Sequence, residues 1–315
     1  MAAVDSEVEI VIVGSCNTDL ISYVPRLPKP GETIHGTKFS VGFGGKGANQ
    51  CVMAARLGSK VAMVSKVGDD SFGRDTIKNF QSNNVNTNHT GVTTEAATGV
   101  APISVNEQGQ NSIIIVPGAN LLLTVDEVEQ ILPKMTSAKV VICQLEIQPQ
   151  TTLAALKMAR KRGIKTIFNP APAIPELDPE FYKFSDIFCP NESEVELLTG
   201  LSVTSIDEAE KAGQCLLDKG CKIVIITMGS QGAVIVTSEN RKAVHVPAKK
   251  VTPLDTTGAG DSFVGSLAYY LTYHPDLSLE ESVRRAGNIA SISVCGNGTQ
   301  TSFPWKKDLP PELLS

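Results

Sequence analysis

Two glycine-rich segments carry the residues best suited to chemistry. Toward the C-terminus stands Asp255-Thr256-Thr257-Gly258-Ala259-Gly260-Asp261-Ser262-Phe263, at the head of a long helical pattern. Gly-Ala-Gly at a helix start aims the backbone N–H groups of residues 258–261 into one hole, with the positive end of the helix dipole behind them. Such a hole suits the charge that develops on a phosphoryl group during transfer. Asp261, at its lip, is placed to take a proton from a hydroxyl nucleophile. The helix dipole alone also explains an acid at this position, so from these residues both readings stand.

The second segment is Gly42-Phe43-Gly44-Gly45-Lys46-Gly47-Ala48-Asn49-Gln50. It contains a formal G-x-G-x-x-G, but the dinucleotide fingerprint needs a core strand before it and a ribose-binding acid about 20 residues on. Here a short irregular segment precedes it, and Asp69-Asp70 fall in a loop beyond the next strand. No Ser or Thr follows Lys46, so it is not a phosphate-binding P-loop. Glycines before a helix still let a ligand approach the backbone, with Lys46 and Asn49 as polar contacts. Four glycines with a Lys and an Asn exceed what a plain turn requires.

Other polar groups follow predicted strands, where α/β sheets place ligands. Asn17 and Asp19 flank Thr18, and in an extended chain both face one side, suited to sugar hydroxyls. Glu146 follows the strand at 138–143. Thr227-Met228-Gly229-Ser230-Gln231-Gly232 follows that at 222–227. In Asn191-Glu192-Ser193-Glu194 the spacing predicts a capping box, and an amide with a carboxylate on one turn also suits Mg2+ held through waters. Each of these has an ordinary loop or cap explanation when taken alone.

The elements that must position these groups alternate. Strands are predicted at 8–13, 60–66, 138–143, 164–168 and 222–227. Helices are predicted at 45–57, 71–83, 150–162, 191–199, 206–219, 259–273 and 278–294. Shorter strands fall at 232–237 and 241–246. Alternation with β-branched strands predicts an α/β fold, a doubly wound, mostly parallel sheet with helices on both faces. Residues 19–43 and 98–116 break the rhythm, the latter as a hairpin around Glu107-Gln108-Gly109-Gln110. They are read as strands of a small accessory sheet, a lid within one domain spanning 1–315.

Composition narrows the function. The chain has 315 residues and a formal net charge of −5, with 42% hydrophobic and 19% charged residues. No basic stripe marks a nucleic-acid surface. No apolar run approaches the length of a membrane span. Seven cysteines include no CxxC and several lie in apolar runs, as expected of free thiols in a reducing compartment. With Asp5, Glu7 and Glu9 near the start and no signal-peptide pattern, a cytoplasmic location is expected, leaving the nucleus open. The four histidines lack metal-ligand spacing.

The order and separation of Gly44-Gly45-Lys46-Gly47-Ala48-Asn49 and Asp255-Thr256-Thr257-Gly258-Ala259-Gly260-Asp261 resemble the paired signatures of the ribokinase-like (PfkB) carbohydrate kinase family. Gly14-Ser15-Cys16-Asn17-Thr18-Asp19, Pro30-Gly31-Glu32-Thr33, Val116-Pro117-Gly118-Ala119-Asn120, Gln144-Leu145-Glu146, Asn169-Pro170-Ala171-Pro172-Ala173 and Pro190-Asn191-Glu192 extend the resemblance over about residues 8–306. The resemblance implies ATP-dependent phosphorylation of the 5-hydroxyl of ribose, with Asp261 as base and the backbone of Gly258, Ala259, Gly260 and Asp261 as anion hole. It implies sugar contacts from Asn17, Thr18, Asp19, Gly45, Lys46, Gly47, Ala48, Asn49 and Glu146. The nucleotide site would be lined by Asn191, Thr227, Met228, Gly229, Ser230, Gln231, Gly232, Gly260 and Gly287, with Glu194 helping to place Mg2+. A monovalent cation, K+, would bind at Asp255, Thr257, Ser293, Gly296, Gly298 and Ser302. Two lids packed together would make a homodimer. A kinase for 2-deoxyribose or another small sugar, and a catalytically silent sugar-binding protein, are the competing readings. An NAD-dependent dehydrogenase rests only on Gly42–Gly47.

Overall fold

A computed structural model describes residues 3–314. The chain opens with β1 (Ile10–Val13), β2 (Asn17–Tyr23), β3 (Lys38–Gly44) and α1 (Lys46–Arg56). It continues through β4 (Val61–Gly68), α2 (Ser71–Ser82), β5 (Thr90–Thr93), β6 (Gly99–Val105), β7 (Asn111–Ile113) and α3 (Val125–Ile131). Next come β8 (Val140–Cys143), α4 (Pro149–Lys161), β9 (Lys165–Phe168), α5 (Pro179–Phe184), β10 (Ile187–Phe188) and α6 (Glu192–Thr199). The last part is α7 (Ile206–Asp218), β11 (Ile223–Thr227), β12 (Ala233–Thr237), β13 (Val244–Val246), α8 (Ala259–Tyr273) and α9 (Leu279–Ser293).

The large sheet has nine strands in the order β13-β12-β11-β10-β9-β8-β1-β4-β5. Pairing is parallel from β11 to β5 and antiparallel at the β12 and β13 edge. Strand alternation splits the core between the two faces. Ile10, Ile12, Val140 and Ile142 join the cluster under α1, α8 and α9. Val11, Val13, Val141 and Cys143 join the cluster under α4 to α7. A strand buried on both faces must be apolar throughout, which is why β1 reads Ile-Val-Ile-Val.

Four strands, β3-β2-β6-β7, form the second sheet. β2 pairs antiparallel with β3 and parallel with β6, and β6 returns through the expected hairpin to β7. Four short elements were not predicted. β5 has four residues and β10 only two, and α3 and α5 are too short for a helical period to declare itself.

Strand order reverses at β1, which lies between β8 and β4. The carboxyl end of the sheet at such a switch point opens a crevice. Asn169 after β9, Asn191 after β10 and Thr227 at the end of β11 line a cavity there, and residues 14–17 after β1 and 144–146 after β8 follow strand ends on the same side of the sheet.

Candidate functional site

Asp261 is the third residue of α8, which starts after Gly258 in a left-handed conformation at φ 78°. Its side chain is buried, at 5% exposure. Oδ2 accepts from Asn49 Nδ2 at 2.8 Å, and Oδ1 accepts from Gln50 Nε2 at 2.9 Å. Both donors come from α1. The two helices approach closely because α8 carries Gly265 at their crossing, where a Cβ would lie 2.5 Å from the Gln50 carbonyl oxygen. No side chain caps α8. The Ala259 N–H donates to the Thr256 carbonyl at 3.2 Å, so the expectation that residues 258–261 all offer amides to one hole is corrected at Ala259. The first-turn amides of Gly260 and Asp261 have no helical acceptor, and both residues line the cavity in front of the turn.

A cavity of about 150 Å³ lies in front of this turn, lined by Lys46, Asn169, Asn191, Glu194, Thr227 and residues 258–261 among others. It adjoins a second, larger cavity of about 700 Å³, with Asn191, Thr227, Thr256, Ala259 and Gly260 on the wall of both. Gly229, Ser230, Gly232 and Gly287 line the larger one, beside Val251, Phe263 and Val283 and the cations Lys249, Lys250 and Arg284. Two predicted wall residues face elsewhere. Met228 is buried in the core, and Gln231 turns outward to bond the Thr204 carbonyl. The capping box at α6 is formed: Asn191 Oδ1 accepts from the Glu194 N–H, and Glu194 Oε2 accepts from the Asn191 N–H, each at 2.9 Å. Burial pushes the Glu194 carboxyl above its ordinary range, against the opposing pull of the Asn191 N–H and Lys46.

On the other side of Asp261 lie the groups assigned to the sugar. Asn17 and Asp19 share one face of β2, as the two-residue period requires. Asn17 Oδ1 accepts from Asn120 Nδ2 at 2.8 Å, and Asn120 also binds the Cys16 N–H and carbonyl. This fixes the Asn17 amide with its own NH2 outward. Thr18 points the other way, and its hydroxyl is buried without a partner. Glu146 Oε2 accepts from Ser15 Oγ at 2.5 Å and from the Lys46 N–H at 2.9 Å. Burial pushes the Asp19 carboxyl up to about 6, with Glu146 and Asp261 adding to the shift. Burial works against the charge on Lys46, but Asp261, Glu146 and Glu194 outweigh it and hold the ammonium above its ordinary value. Ala48 is buried and donates its N–H to the Ser15 carbonyl at 2.8 Å.

Residues 8–306 match the model of the pfkB family carbohydrate kinases. The chain belongs to that family. A ribokinase from Mus musculus is 56% identical over 305 residues, covering 97% of this chain and 94% of that protein. A deoxyribokinase from Salmonella typhi is 42% identical over 296 residues, covering 94% and 95% of the two chains. Among solved structures, Arabidopsis thaliana ribokinase complexed with ribose and ATP superposes with a TM-score of 0.87 at 30% identity, covering 100% of this chain and 99% of that one.

In this pfkB-family kinase the loops named for a monovalent cation are adjacent. Asp255 accepts from the Thr257 N–H and the Gly298 N–H, each at 2.9 Å, tying residues 255–257 to the loop after α9. In that loop the Ser293 carbonyl accepts from the Gly296 N–H at 3.1 Å, and Ser302 Oγ donates to the Thr299 carbonyl at 2.9 Å. Gly296 packs on Ser302, whose Cβ would be 2.9 Å from any Cβ added there. Four amides around the site went unassigned in the sequence: Gln50, Asn120, Gln144 and Gln300. Gln50, Asn120 and Gln144 each stood inside a motif, but nothing in one sequence marks an amide as facing a carboxylate rather than solvent.

Proposed function

We propose that this chain transfers the γ-phosphoryl group of ATP to the 5-hydroxyl of D-ribose, giving ribose 5-phosphate and ADP. The observation that carries the reading is Asp261, a buried carboxylate at an uncapped helix start, facing a cavity that opens into a larger one. The similarity to a mouse ribokinase, and to a ribokinase complexed with ribose and ATP, supports it.

The ribose lies against Asn17, Asp19, Asn49 and Glu146, whose fixed amide and carboxylates sort hydroxyl donors from acceptors. Asp261 accepts the proton of the 5-hydroxyl as its oxygen bonds to the γ-phosphorus and the bond to the ADP oxygen breaks. Gly260 and Asp261 N–H groups and Lys46 meet the charge that builds on the transferring group. The larger cavity takes the nucleotide, its base against Val251, Phe263 and Gly287, where a Cβ at 287 would meet open space.

Glu194 and Asp261 both line the smaller cavity. One or two carboxylates with waters and phosphate oxygens is the usual setting of Mg2+. When bound it neutralises phosphate charge, and Glu194 would hold it through water. The oxygens of Asp255, Thr257, Ser293 and Ser302, with nearby carbonyls, suit a large monovalent ion such as K+. Its charge would lie behind the anion hole.

The whole chain would act as one kinase domain, with β3-β2-β6-β7 as a lid over the sugar. Phe39, Val41 and Ile113 on this sheet and Ile114 just beyond it leave 48–63% of their area exposed, which supports a homodimer joined through the lid. Val41→Asp is expected to give a monomer by light scattering; a persistent dimer would refute the interface. A cytoplasmic location without membrane or nucleic-acid partners is part of the proposal; all seven cysteines are free, and no helix among the described residues is long and apolar enough to cross a membrane.

The similarity to a deoxyribokinase favours 2-deoxyribose as the second reading. ADP release by the purified protein with ATP and Mg2+, given ribose or 2-deoxyribose and K+ or Na+, separates them. Turnover on ribose that rises with K+ is expected. Preference for 2-deoxyribose would replace the substrate, and no turnover on any sugar would refute the kinase reading.

A further inference from the structure

Asp261 is held by a chain of buried amides that reaches well behind the crevice. Gln50 is fully buried on α1. Its Nε2 donates to Asp261 Oδ1 at 2.9 Å and to Asn169 Oδ1 at 3.2 Å. Its Oε1 accepts from Gln144 Nε2 at 2.6 Å. Asn169 is itself fixed, because its Nδ2 donates to the Cys189 carbonyl at 2.9 Å. The direction of every bond is therefore set. A flipped Gln50 amide would turn its oxygen onto the Asp261 carboxylate and Asn169 Oδ1 while losing the Gln144 bond. On the opposite oxygen, Asn49 Nδ2 donates to Asp261 and Asn49 Oδ1 accepts from Gln300 Nε2 at 3.0 Å.

The two sides differ in what they do besides. Asn49 is placed at the sugar, so its loss would mix binding with positioning. Gln50 is no part of either cavity wall. Its only charged neighbour among these contacts is Asp261, and a charge-assisted bond inside a dry interior is strong and directional.

We propose that Gln50, anchored by Gln144, is a positioning residue that fixes the Asp261 carboxylate for proton transfer while taking no part in substrate binding. This rests on Asp261 being the base. With its Oδ1 bond lost, the carboxylate gains rotational freedom about its side chain, and the proton-accepting orientation is populated for less of the time. Misplacement of that size acts on the chemical step rather than on affinity.

The experiment uses the full-length enzyme with ATP, Mg2+ and its best sugar. Gln50→Met keeps the volume and removes the donor. It is expected to lower kcat roughly 10–100-fold, with both KM values changed less than about threefold. Gln50→Glu supplies a second readout. When ionised, the introduced carboxyl presents only acceptors to Asp261; when protonated, it restores one O–H donor. The activity of this variant relative to wild type is therefore expected to rise as pH falls from 8 to 6, which a merely structural defect would not produce. Wild-type kcat in Gln50→Met, or equal losses of Gln50→Glu at both pH values, would overturn the proposal. Should Gln50→Met not fold, Gln144→Met carries the same test, with the same sign and a smaller loss. Asp261→Asn distinguishes the two levels: if it retains turnover, the base assignment fails, whereas an inactive Asp261→Asn beside a fully active Gln50→Met refutes the role of Gln50 alone. In the Asp261→Asn background, Gln50→Met should add no further loss.

Discussion

The two glycine-rich segments look alike in sequence and differ in what the missing side chains make room for. In the segment around α1, the space belongs to the protein. A Cβ on Gly47 would lie 2.6 Å from the Ser15 nitrogen and 2.8 Å from the Gly14 carbonyl carbon, and one on Gly45 would lie 2.8 Å from the Asn17 nitrogen. Gly45 also adopts φ 86°. In the segment around α8, Gly258 is packed on Thr299, where a Cβ would lie 2.3 Å from Cγ2, but the space at Gly260 is empty. Gly260 would meet nothing within 4 Å, and neither would Gly287 on the neighbouring helix. Glycine at the first motif is a packing device that lets α1 sit against the chain leaving β1. Glycine at Gly260 keeps a surface clear for what enters the crevice.

The largest expected effect on stability lies at the packed glycine. Gly47→Ala drives a methyl into backbone that has no rotamer with which to yield. It should destabilise the fold by roughly 2–3 kcal/mol, read as a fall in Tm, and weaken sugar binding with it. Unchanged Tm would break the distinction. Gly260→Ala should do the reverse. Alanine in a first helical turn with open space should leave stability unchanged or raise it by up to about 1 kcal/mol. The KM for ATP should nevertheless rise roughly tenfold, because the methyl would occupy the surface that the proposed mechanism gives to the phosphate. A loss of Tm without a change in KM would contradict the assignment of that space to substrate.

A third prediction sharpens the same contrast through charge. Asp19 belongs to the first region, and its carboxyl is raised to about 6 by burial with Glu146 and Asp261 nearby. A carboxyl raised in the folded state contributes stability when protonated, in full below its unfolded value near 4, and that contribution is lost as pH rises through about 6. At neutral pH the ionised group is therefore a cost. Asp19→Asn should raise Tm at pH 7.5 by roughly 2–6 °C, and the gain should shrink toward pH 4. In the proposed sugar site the same ionised group would accept hydroxyls, so the variant should bind sugar less tightly. In the wild type the sugar KM should climb as pH falls below about 6. A flat profile with unchanged Tm would remove Asp19 from the charge cluster.

Much of this architecture was legible. β1, β4, β8, β9 and β11 declared themselves as apolar runs, and the two departures from alternation became the small sheet. Two-residue β10 carries too little pattern to be seen. At the site, the residues that line the crevice were found where a motif coincided with a strand end. Met228 misled because it follows β11, yet its side chain falls on the core side of the turn. Thr18 misled because it stands between two cleft residues, and the strand period turns it away. Gln50 and Gln300 were illegible for a different reason: their partners lie 211 and 251 residues away along the chain. Only the helix crossing at Gly265 brings α1 and α8 close enough for an amide on one to hold a carboxylate on the other.

The proposed transfer depends above all on Asp261 as the base. The direct measurement is the turnover of Asp261→Asn with ATP, Mg2+ and ribose, alongside its ribose affinity by calorimetry. Asn keeps the size and cannot take the proton, so kcat should fall by about three orders of magnitude, while ribose affinity changes little. Turnover within tenfold of the wild type in a folded variant would contradict the assignment and with it the mechanism built on the α8 turn.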